Sequence, residues 1–400
     1  MIRTDEIIEN SSFNELDLLG KGIGCDRYGL LFIDIETTGL SPKTSEIYLI
    51  GIAYCEEDKL KVRQYFAEDP SEEKEILEAF SSFLLPYEKI IHYNGDRFDI
   101  PFLKARYEKH LLPDPFEGRG SVDLYRLIRP YKNILGLPDG KQKSVEKFLG
   151  INREDEYDGG KLIPVYREYA VNRGDEEKRL LLLHNSVDVK GMTQLLPIMY
   201  YLTFFDMFKD LPNISVRTDD EIDESAYMTD EDGSIKQLPL RAVKVQANKY
   251  RDFEGKERQE VIMKLRLPFA LPSSLAGNID GCFFKTSGSE ASLKVPLYDE
   301  ELKYFYSNYR DYYYLPQEDM AIHKSLAEFV DKDFREKARP ENCYTKKSGQ
   351  YLMEWDLVFA PFFKRDYEDK NFFFDLNETM KQSRFAMSLY ACHVVEHILS

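Results

Sequence analysis

The chain has 400 residues, 43% of them hydrophobic and 31% charged, and a formal net charge of −17. That length is too great for one ordinary core and predicts two or three domains. The charge disfavours a broad, high-affinity DNA binder, whose contacts rest on a basic face, but leaves open an enzyme that cuts phosphodiesters, because a metal-dependent site needs carboxylates. The acidic excess is even, with 27 basic and 36 acidic residues in 1–200 and 27 and 35 in 201–400; residues 101–150 run the other way with ten against six, and 241–270 with eight against four. No apolar run approaches the ~20 residues of a membrane span. The start "MIRTDEIIENSSFNELD" is no secretory signal. Cys25, Cys55, Cys282, Cys343 and Cys392 form no CxxC pair, so the expectation is a cytoplasmic protein with reduced thiols.

In chain order, residues 1–28 read as an N-terminal extension. "GLLFIDI" (29–35) predicts a buried strand, ended by the turn-rich "ETTGLSPKTSE". "IYLIGIAYC" (47–55) and "KLKVRQYFA" (59–67) predict strands joined by the turn "EEDK". "PSEEKEILEAFSSFLL" opens with Pro and Ser, has acids in its first turn and spaces its apolar residues as a helix does. "KIIHYNG" (89–95) is a short strand, and "DIPFLKARYEKHLL" a helix with Pro101 in its first turn. Shorter elements then lead to an apolar helix from about 176 to 205. Three antiparallel strands followed by alternating strands and helices describe a mixed α/β sheet flanked by helices, of the ribonuclease-H type, over residues 29–208. Residues 209–240 are acidic and aperiodic, a linker or loop. Beyond them, "RAVKVQANKY", "EVIMKLRLPF", "GCFFKTS" and "ASLKVPLY" predict strands, and "QEDMAIHKSLAEFVDKDFREKA" and "NETMKQSRFAMSLYACHVVEHILS" predict helices, so 241–400 is expected to be an α+β domain.

The chemistry lies in a few carboxylates. Asp34 and Glu36, at i and i+2 on a strand, point to one face. Two charges ending an apolar strand are costly to bury unless paired or metal-bound, though alone they read equally as a strand end meeting solvent. Asp99 follows a buried strand and opens a helix, which by itself is an N-cap; Asp96 is a turn residue. In "LLLLHNSVDVKGM" (180–192), His184 and Asp188 share a helix face, and alone they are a side-chain pair worth a few tenths of a kcal/mol. Two-metal phosphodiester hydrolysis, with ions ~3.5–4 Å apart, needs several such carboxylates at one point.

In that order, "FIDIETTGL", "HYNGDRFDIPFL" and "HNSVD" resemble the three motifs of the DEDD exonucleases, the ribonuclease-H-like group that includes polymerase proofreading domains. "SVEKFLGINREDEYDGGKLIPVYREYA" resembles the joining segment of the YprB-like branch, and the resemblance covers about residues 29–205. It implies that Asp34, Glu36, Asp99 and Asp188 hold two Mg²⁺ or Mn²⁺ ions and that His184 is the general base. It puts Thr37 where the backbone meets the substrate's 3′ end, and Asn94 where it supports the site or touches the strand. The third motif departs from the family: one subclass has a histidine five residues before the last aspartate, here Leu183, and the other a tyrosine four before, here His184. The subclass therefore stays open, although an imidazole of pKa ~6.5 accepts a proton near neutrality better than a phenol of ~10. The implied activity is a cytoplasmic, metal-dependent 3′→5′ exonuclease acting on single-stranded DNA or RNA. The alternatives are a structure-specific endonuclease using the same site, or a nucleic-acid-binding or scaffold protein that no longer turns over.

Other signals carry less. "GKGIG" (20–24) is a turn without phosphate-loop spacing, and "HVVEH" (393–397) is a helix face with no third ligand in view. Asp123 is a cap or a supporting partner of the site. The tyrosines of "YFYSNYRDYYYLP" (304–316) predict packing before base stacking. The basic stretch 241–266 fits either a phosphate track or a strand pair with a solvated face.

Overall fold

The computed structural model describes residues 1–8, 13–153, 159–209, 211, 214–228 and 237–400. The chain divides into two compact units, Met1–Leu202 and Thr203–Ser400. No helix among the described residues is long and apolar enough to cross a membrane. All five cysteines are free.

The first unit begins with β1 (Ile2–Ile8), α1 (Asn14–Ile23), β2 (Leu30–Thr37), β3 (Ile47–Glu56) and β4 (Lys59–Phe66). It continues with α2 (Glu73–Leu84), β5 (Lys89–His92), α3 (Asp99–Lys109), β6 (Gly120–Asp123), α4 (Leu124–Ile128), α5 (Gln142–Phe148), α6 (Leu162–Asn172) and α7 (Asp175–Gln194), and α8 (Ile198–Lys209) follows. The six strands lie in the order β1-β4-β3-β2-β5-β6. β1 to β4 pair antiparallel, and β5 and β6 run parallel to β2. This is the expected ribonuclease-H-like mixed sheet flanked by helices. The "EEDK" turn is a two-residue loop with Glu57 and Asp58 both at positive φ, the hairpin geometry that matches strand twist. β3 is buried at nine of its ten residues, as a strand covered on both faces must be.

Two expectations for this part change. Residues 2–8 are not a bare extension: β1 pairs with β4 along its whole length as the edge strand. An edge strand facing solvent need not alternate cleanly, and "RTDE" concealed it. The single helix expected from 176 to 205 is two, α7 and α8, broken at Leu195–Pro197, because proline has no N–H to continue the helical ladder.

A buried ion network fixes α2 and α3 against the 42–47 loop. Glu73 and Arg106 are each 1% exposed. Arg106 donates through Nε to Glu73 Oε1 at 2.7 Å, through a second nitrogen to Glu73 Oε2, and through Nη1 to the Pro42 carbonyl at 2.8 Å. Glu73 also accepts from the Ile47 N–H at 2.8 Å. Every polar atom of the pair so engaged is one that burial would otherwise penalise.

The second unit contains β7 (Val216–Arg217), α9 (Glu224–Met228), β8 (Arg241–Arg251), β9 (Glu257–Arg266), β10 (Ala276–Ile279), β11 (Cys282–Ser287) and β12 (Glu290–Pro296). After these come β13 (Tyr298–Phe305), β14 (Tyr312–Leu315), β15 (Met320–His323), α10 (Lys324–Ala327), β16 (Glu336–Lys337), β17 (Tyr344–Glu354), β18 (Phe359–Ala360), β19 (Phe362–Phe363), β20 (Phe372–Asp375), α11 (Glu378–Gln382) and α12 (Arg384–Leu399). Residues 385–395 of α12 are all buried, as expected of a helix that is apolar all round. One side meets the five-stranded sheet β10-β11-β12-β9-β8, where Ser388 Oγ accepts the Ala242 N–H at 2.8 Å. Another meets the sheet β13-β17-β20-β19, where Tyr390 Oη donates to the Met353 carbonyl at 2.9 Å.

The α+β expectation holds here, but with less helix than expected. "QEDMAIHKSLAEFVDKDFREKA" is not one helix: Met320–His323 pairs with β14, and the helix is a single turn, α10. Burial of Ala321 against Ala338 and Cys343 overrides the local helix preference. Of the expected linker 209–240, residues 210, 212–213 and 229–236 lie outside the described residues. The remainder is partly built in: β7 pairs with β18, and Thr218 is 1% exposed. The tyrosines of 304–316 pack on one another, Tyr306 stacking on Tyr312 at 4.4 Å.

Candidate active site

Three elements of the first unit bring the sequence candidates together. β2 presents Asp34 and Glu36 on one face, with a register shift after Glu36. Asp99 is the first residue of α3 rather than its N-cap, a position held by Phe98 without a side-chain hydrogen bond. Its carboxylate instead reaches across to β2 and accepts the Ile35 N–H at 3.2 Å. α7 supplies His184 and Asp188 one turn apart. His184 Nε2 lies 3.5 Å from Glu36 Oε1 and 3.3 Å from Asp188 Oδ2, with only 2% of the residue exposed. The His184 nitrogen and one oxygen each from Glu36 and Asp188 lie within 4.8 Å of one another, a set that could hold a cation.

The electrostatics agree with the geometry. Burial, then the charges of Asp188, Asp99 and Glu36, push the Asp34 carboxyl well above the usual carboxylate range, against the opposing hydrogen bond from Asn185. Burial pushes Asp99 to about 7, partly offset by the N–H groups of Ile35 and of Asp99 itself. For both carboxyls burial is the largest cause, and the charges of neighbouring acids add to it.

Several supporting residues escaped the sequence reading. Asn185 is fully buried; its Nδ2 donates to Asp34 Oδ2 at 2.8 Å and its Oδ1 accepts from Gln64 Nε2 at 2.9 Å. Gly51 pairs with Asp34 on one side and Gln64 on the other. A Cβ on Gly51 would stand 2.0 Å from Asn185 Oδ1 and 2.8 Å from Val189 Cγ2, so the glycine lets α7 approach the sheet. The signal was present: a lone glycine inside the apolar strand "IYLIGIAYC" marks a close approach. Arg153 bridges Asp188 and Glu146, meeting Asp188 Oδ1 and lying 2.8 Å from Glu146 Oε2. Gln142 joins this group through Nε2, 2.8 Å from Glu146 Oε1 and 3.0 Å from the Asp188 carbonyl.

Asp123 acts as a cap, accepting the N–H of Tyr125 at 3.0 Å and of Asn94 at 2.8 Å. Asn94 thereby sits in the turn before α3 at φ 61°. Asp96 is more than a turn residue: it accepts from Ser121 Oγ at 2.7 Å and Arg126 Nη1 at 2.8 Å, beside fully buried His92. Thr37 donates its hydroxyl to the Gly39 carbonyl at 2.8 Å. In the second unit, "HVVEH" has a neighbour that spacing did not reveal: His397 Nε2 lies 3.0 Å from Asp356 Oδ2, and His393 Nε2 accepts the Trp355 N–H at 3.2 Å.

Residues 31–200 match the family model RNase_H_2 of the RNase H superfamily. The chain is 33% identical over 175 residues to uncharacterized protein MJ0365 of Methanocaldococcus jannaschii, a match covering 42% of this chain and 93% of that protein. The chain belongs to the RNase H superfamily. It is also similar to uncharacterized protein YprB of Bacillus subtilis, 29% identical over 180 residues, or 43% of this chain; the match spans 42% of that relative's length. Both place the chain with the YprB-like branch of the superfamily. Solved structures with some likeness include the family B DNA polymerase from Pyrobaculum calidifontis, at TM-score 0.37 and 14% identity, covering 70% of this chain and 35% of that one. Exonuclease I of E. coli in complex with a dT13 oligonucleotide has TM-score 0.31 and 13% identity, covering 59% of this chain and 54% of that one. Neither likeness bears on activity.

Proposed function

We propose that the first unit is a DEDD-type 3′→5′ exonuclease that hydrolyses single-stranded nucleic acid with two Mg²⁺ or Mn²⁺ ions. The observation that supports this best is the meeting of Asp34, Glu36, Asp99, His184 and Asp188 from β2, α3 and α7, with three carboxylates acting on the charge of Asp34. The site fits divalent cations: its donors are carboxylate oxygens, apt for hard ions, and the burial and neighbouring negative charges that lift Asp34 are what a cation offsets. Asp34, Glu36, Asp99 and Asp188 would hold the ions. When bound, these supply charge stabilisation for the phosphoryl group and the leaving oxygen.

The protein's own residues carry the rest. His184, flanked by Glu36 and Asp188, takes the proton of the attacking water, and the two carboxylates orient the ring and balance the charge it gains. The 3′ oxygen of the penultimate nucleotide leaves. Asn185 holds Asp34 in one rotamer through its amide. Arg153 takes up one oxygen of Asp188, and the other faces His184. On the strength of the motif resemblance, Thr37 is assigned to the 3′ end of the strand, and Asn94 to supporting the site or touching the strand.

The test is a time course on 5′-labelled single-stranded DNA and RNA with Mn²⁺, with Asp99→Asn alongside. A ladder shortening from the 3′ end, absent in the variant, is the expected result and reads out the sugar preference. Cutting of a circular single strand would replace the exonuclease with an endonuclease. Metal binding without cleavage of any strand would move the first unit to a binding role.

A further inference from the structure

The five-stranded sheet of the second unit has two unlike faces. Val261, Met263, Leu265, Leu293 and Phe284 are buried on the side of α12. On the other face, strand register sets Lys244, Lys264, Ser292 and Lys285 side by side across β8, β9, β12 and β11. The next row holds Gln246, Ile262, Lys294 and Phe283. Residues directly opposite in a ladder share a face, and neighbouring strands lie ~4.8 Å apart, so each row spans ~15 Å. All four lysines are exposed, and Phe283 is 42% exposed.

Arg266, two residues beyond Lys264, joins this face. The carboxylates that face it are Glu260 and Glu290, and Glu260 already accepts from Asn248 Nδ2 at 2.7 Å and lies 3.8 Å from Lys294 Nζ. Five cations thus meet two carboxylates, in a chain whose net charge is −17. Lys244, Lys264, Lys285 and Arg266 make no ion pair among the described residues, whereas Lys294 lies near Glu260. Part of this face forms a cavity of about 340 Å³, lined by Lys264, Arg266, Lys285, Ser292 and one acid, Glu290. Arg266 lines a second cavity of about 520 Å³ together with Arg241, Arg384 and one acid, Glu224.

We infer that this open face binds a single-stranded nucleic acid, with the lysine row on its phosphates and Phe283 beneath a base. The charge argues for a polyanion independently of the first unit; that the polyanion is a nucleic acid rests on the nuclease reading above. A single strand fits better than a duplex because an exposed ring between cations can stack only on a base whose face is free. The surface was half visible in the sequence as the basic stretch 241–266, but Lys285, Lys294 and Phe283 come from β11 and β12 and join it only through register.

The test is fluorescence anisotropy of labelled dT15 and U15 on the full chain in EDTA, where no hydrolysis intervenes, over a range of salt. The triple variant Lys244→Glu, Lys264→Glu, Lys285→Glu should weaken binding at least about tenfold and lower the slope of log Kd against log salt by about 2, as loss of three phosphate contacts requires. The corresponding Lys→Arg triple should bind within about twofold of the wild type, since charge is retained. Phe283→Ala should weaken binding about fivefold with the salt slope unchanged, and Phe283→Trp should restore it. Unchanged melting of each variant, all on exposed positions, separates lost contacts from lost fold. A glutamate triple with wild-type affinity and slope overturns the inference, as does a wild type that binds neither oligonucleotide. Equal affinity for polyglutamate, lost in the triple, overturns the nucleic-acid assignment in favour of an acidic protein partner. Wild type that binds through these lysines yet cleaves nothing with Mn²⁺ leaves the inference standing and removes the nuclease reading.

Discussion

The two large sheets obey opposite rules. In the first unit, β3 is buried at all but its last residue, and β2 is nearly as covered. In the second, β9 alternates, with Val261, Met263 and Leu265 buried and Lys264 and Arg266 exposed. On a strand covered from both sides a carboxylate must be paired, ligated or protonated, so Asp34 and Glu36 call for an explanation that a solvent-facing acid does not. On a strand covered from one side, a lysine is the ordinary way to meet solvent. Function on such a face becomes visible only when register gathers the charges.

The comparison can be broken most severely at the covered sheet. Asp99→Asn should lower turnover by at least about a thousandfold on the labelled strands while leaving the circular dichroism unchanged, because only groups at the reacting centre carry effects of that size. Full activity would sever the link between buried acids and chemistry. Arg106→Ala should be the largest stability change, about 3–5 kcal/mol by denaturant melting of the full chain, because it removes the guanidinium from the buried Glu73 carboxylate and leaves only the Ile47 N–H and the His110 ring beside it. A loss under about 1 kcal/mol would mean that the buried pair is not held as the hydrogen bonds describe.

Smaller effects sharpen the contrast. Asn185→Ala should lower activity ~10–100-fold and raise the Mn²⁺ concentration needed for half-maximal rate, with little change in melting, as loss of a group that orients a metal ligand does. Gly51→Ala should raise the Mn²⁺ requirement likewise through displacement of Asn185, and also lower stability by about 1–3 kcal/mol because its Cβ overlaps Asn185 and Val189. Normal metal dependence in both variants would remove Asn185 from the site.

The smallest expected effect lies in the second unit. Burial pushes Glu354 up to about 8, although it accepts the N–H groups of Val358 at 3.1 Å and Phe359 at 3.0 Å. The folded state therefore keeps a proton that the unfolded chain releases, so stability is fullest below the usual carboxylate range and declines as pH rises to about 8. Burial pushes the neighbouring His393 down to about 4, which costs stability on the acid side instead. Glu354→Gln should thus raise the melting temperature by a few degrees at pH 8.5 and change it little at pH 5. Equal melting of both proteins across that range would show that Glu354 is ionised in the fold.

Much of the first unit could be read from local pattern. "GLLFIDI", "IYLIGIAYC" and "KLKVRQYFA" give their strands through continuous apolar runs and a tight turn, and the acids that interrupt those runs stood out. What escaped were relations across the chain. β1 is held by pairing with β4 and not by its own composition. Met320–His323 is a strand only because β14 lies beside it. Asp356 meets His397 from 41 residues away.

The sequence by itself determined the ribonuclease-H-like part, the strand and helix types that build it, and the residues whose burial needs explaining, because these rest on period, spacing and the cost of burying charge. Tertiary structure alone decided that Asp99 reaches Ile35 instead of capping its helix, that Gly51 makes room for Asn185 beside Asp34, and that lysines from three strands form one row. Each of these depends on which backbone lies next to which, a property of register and packing that no local run of residues contains.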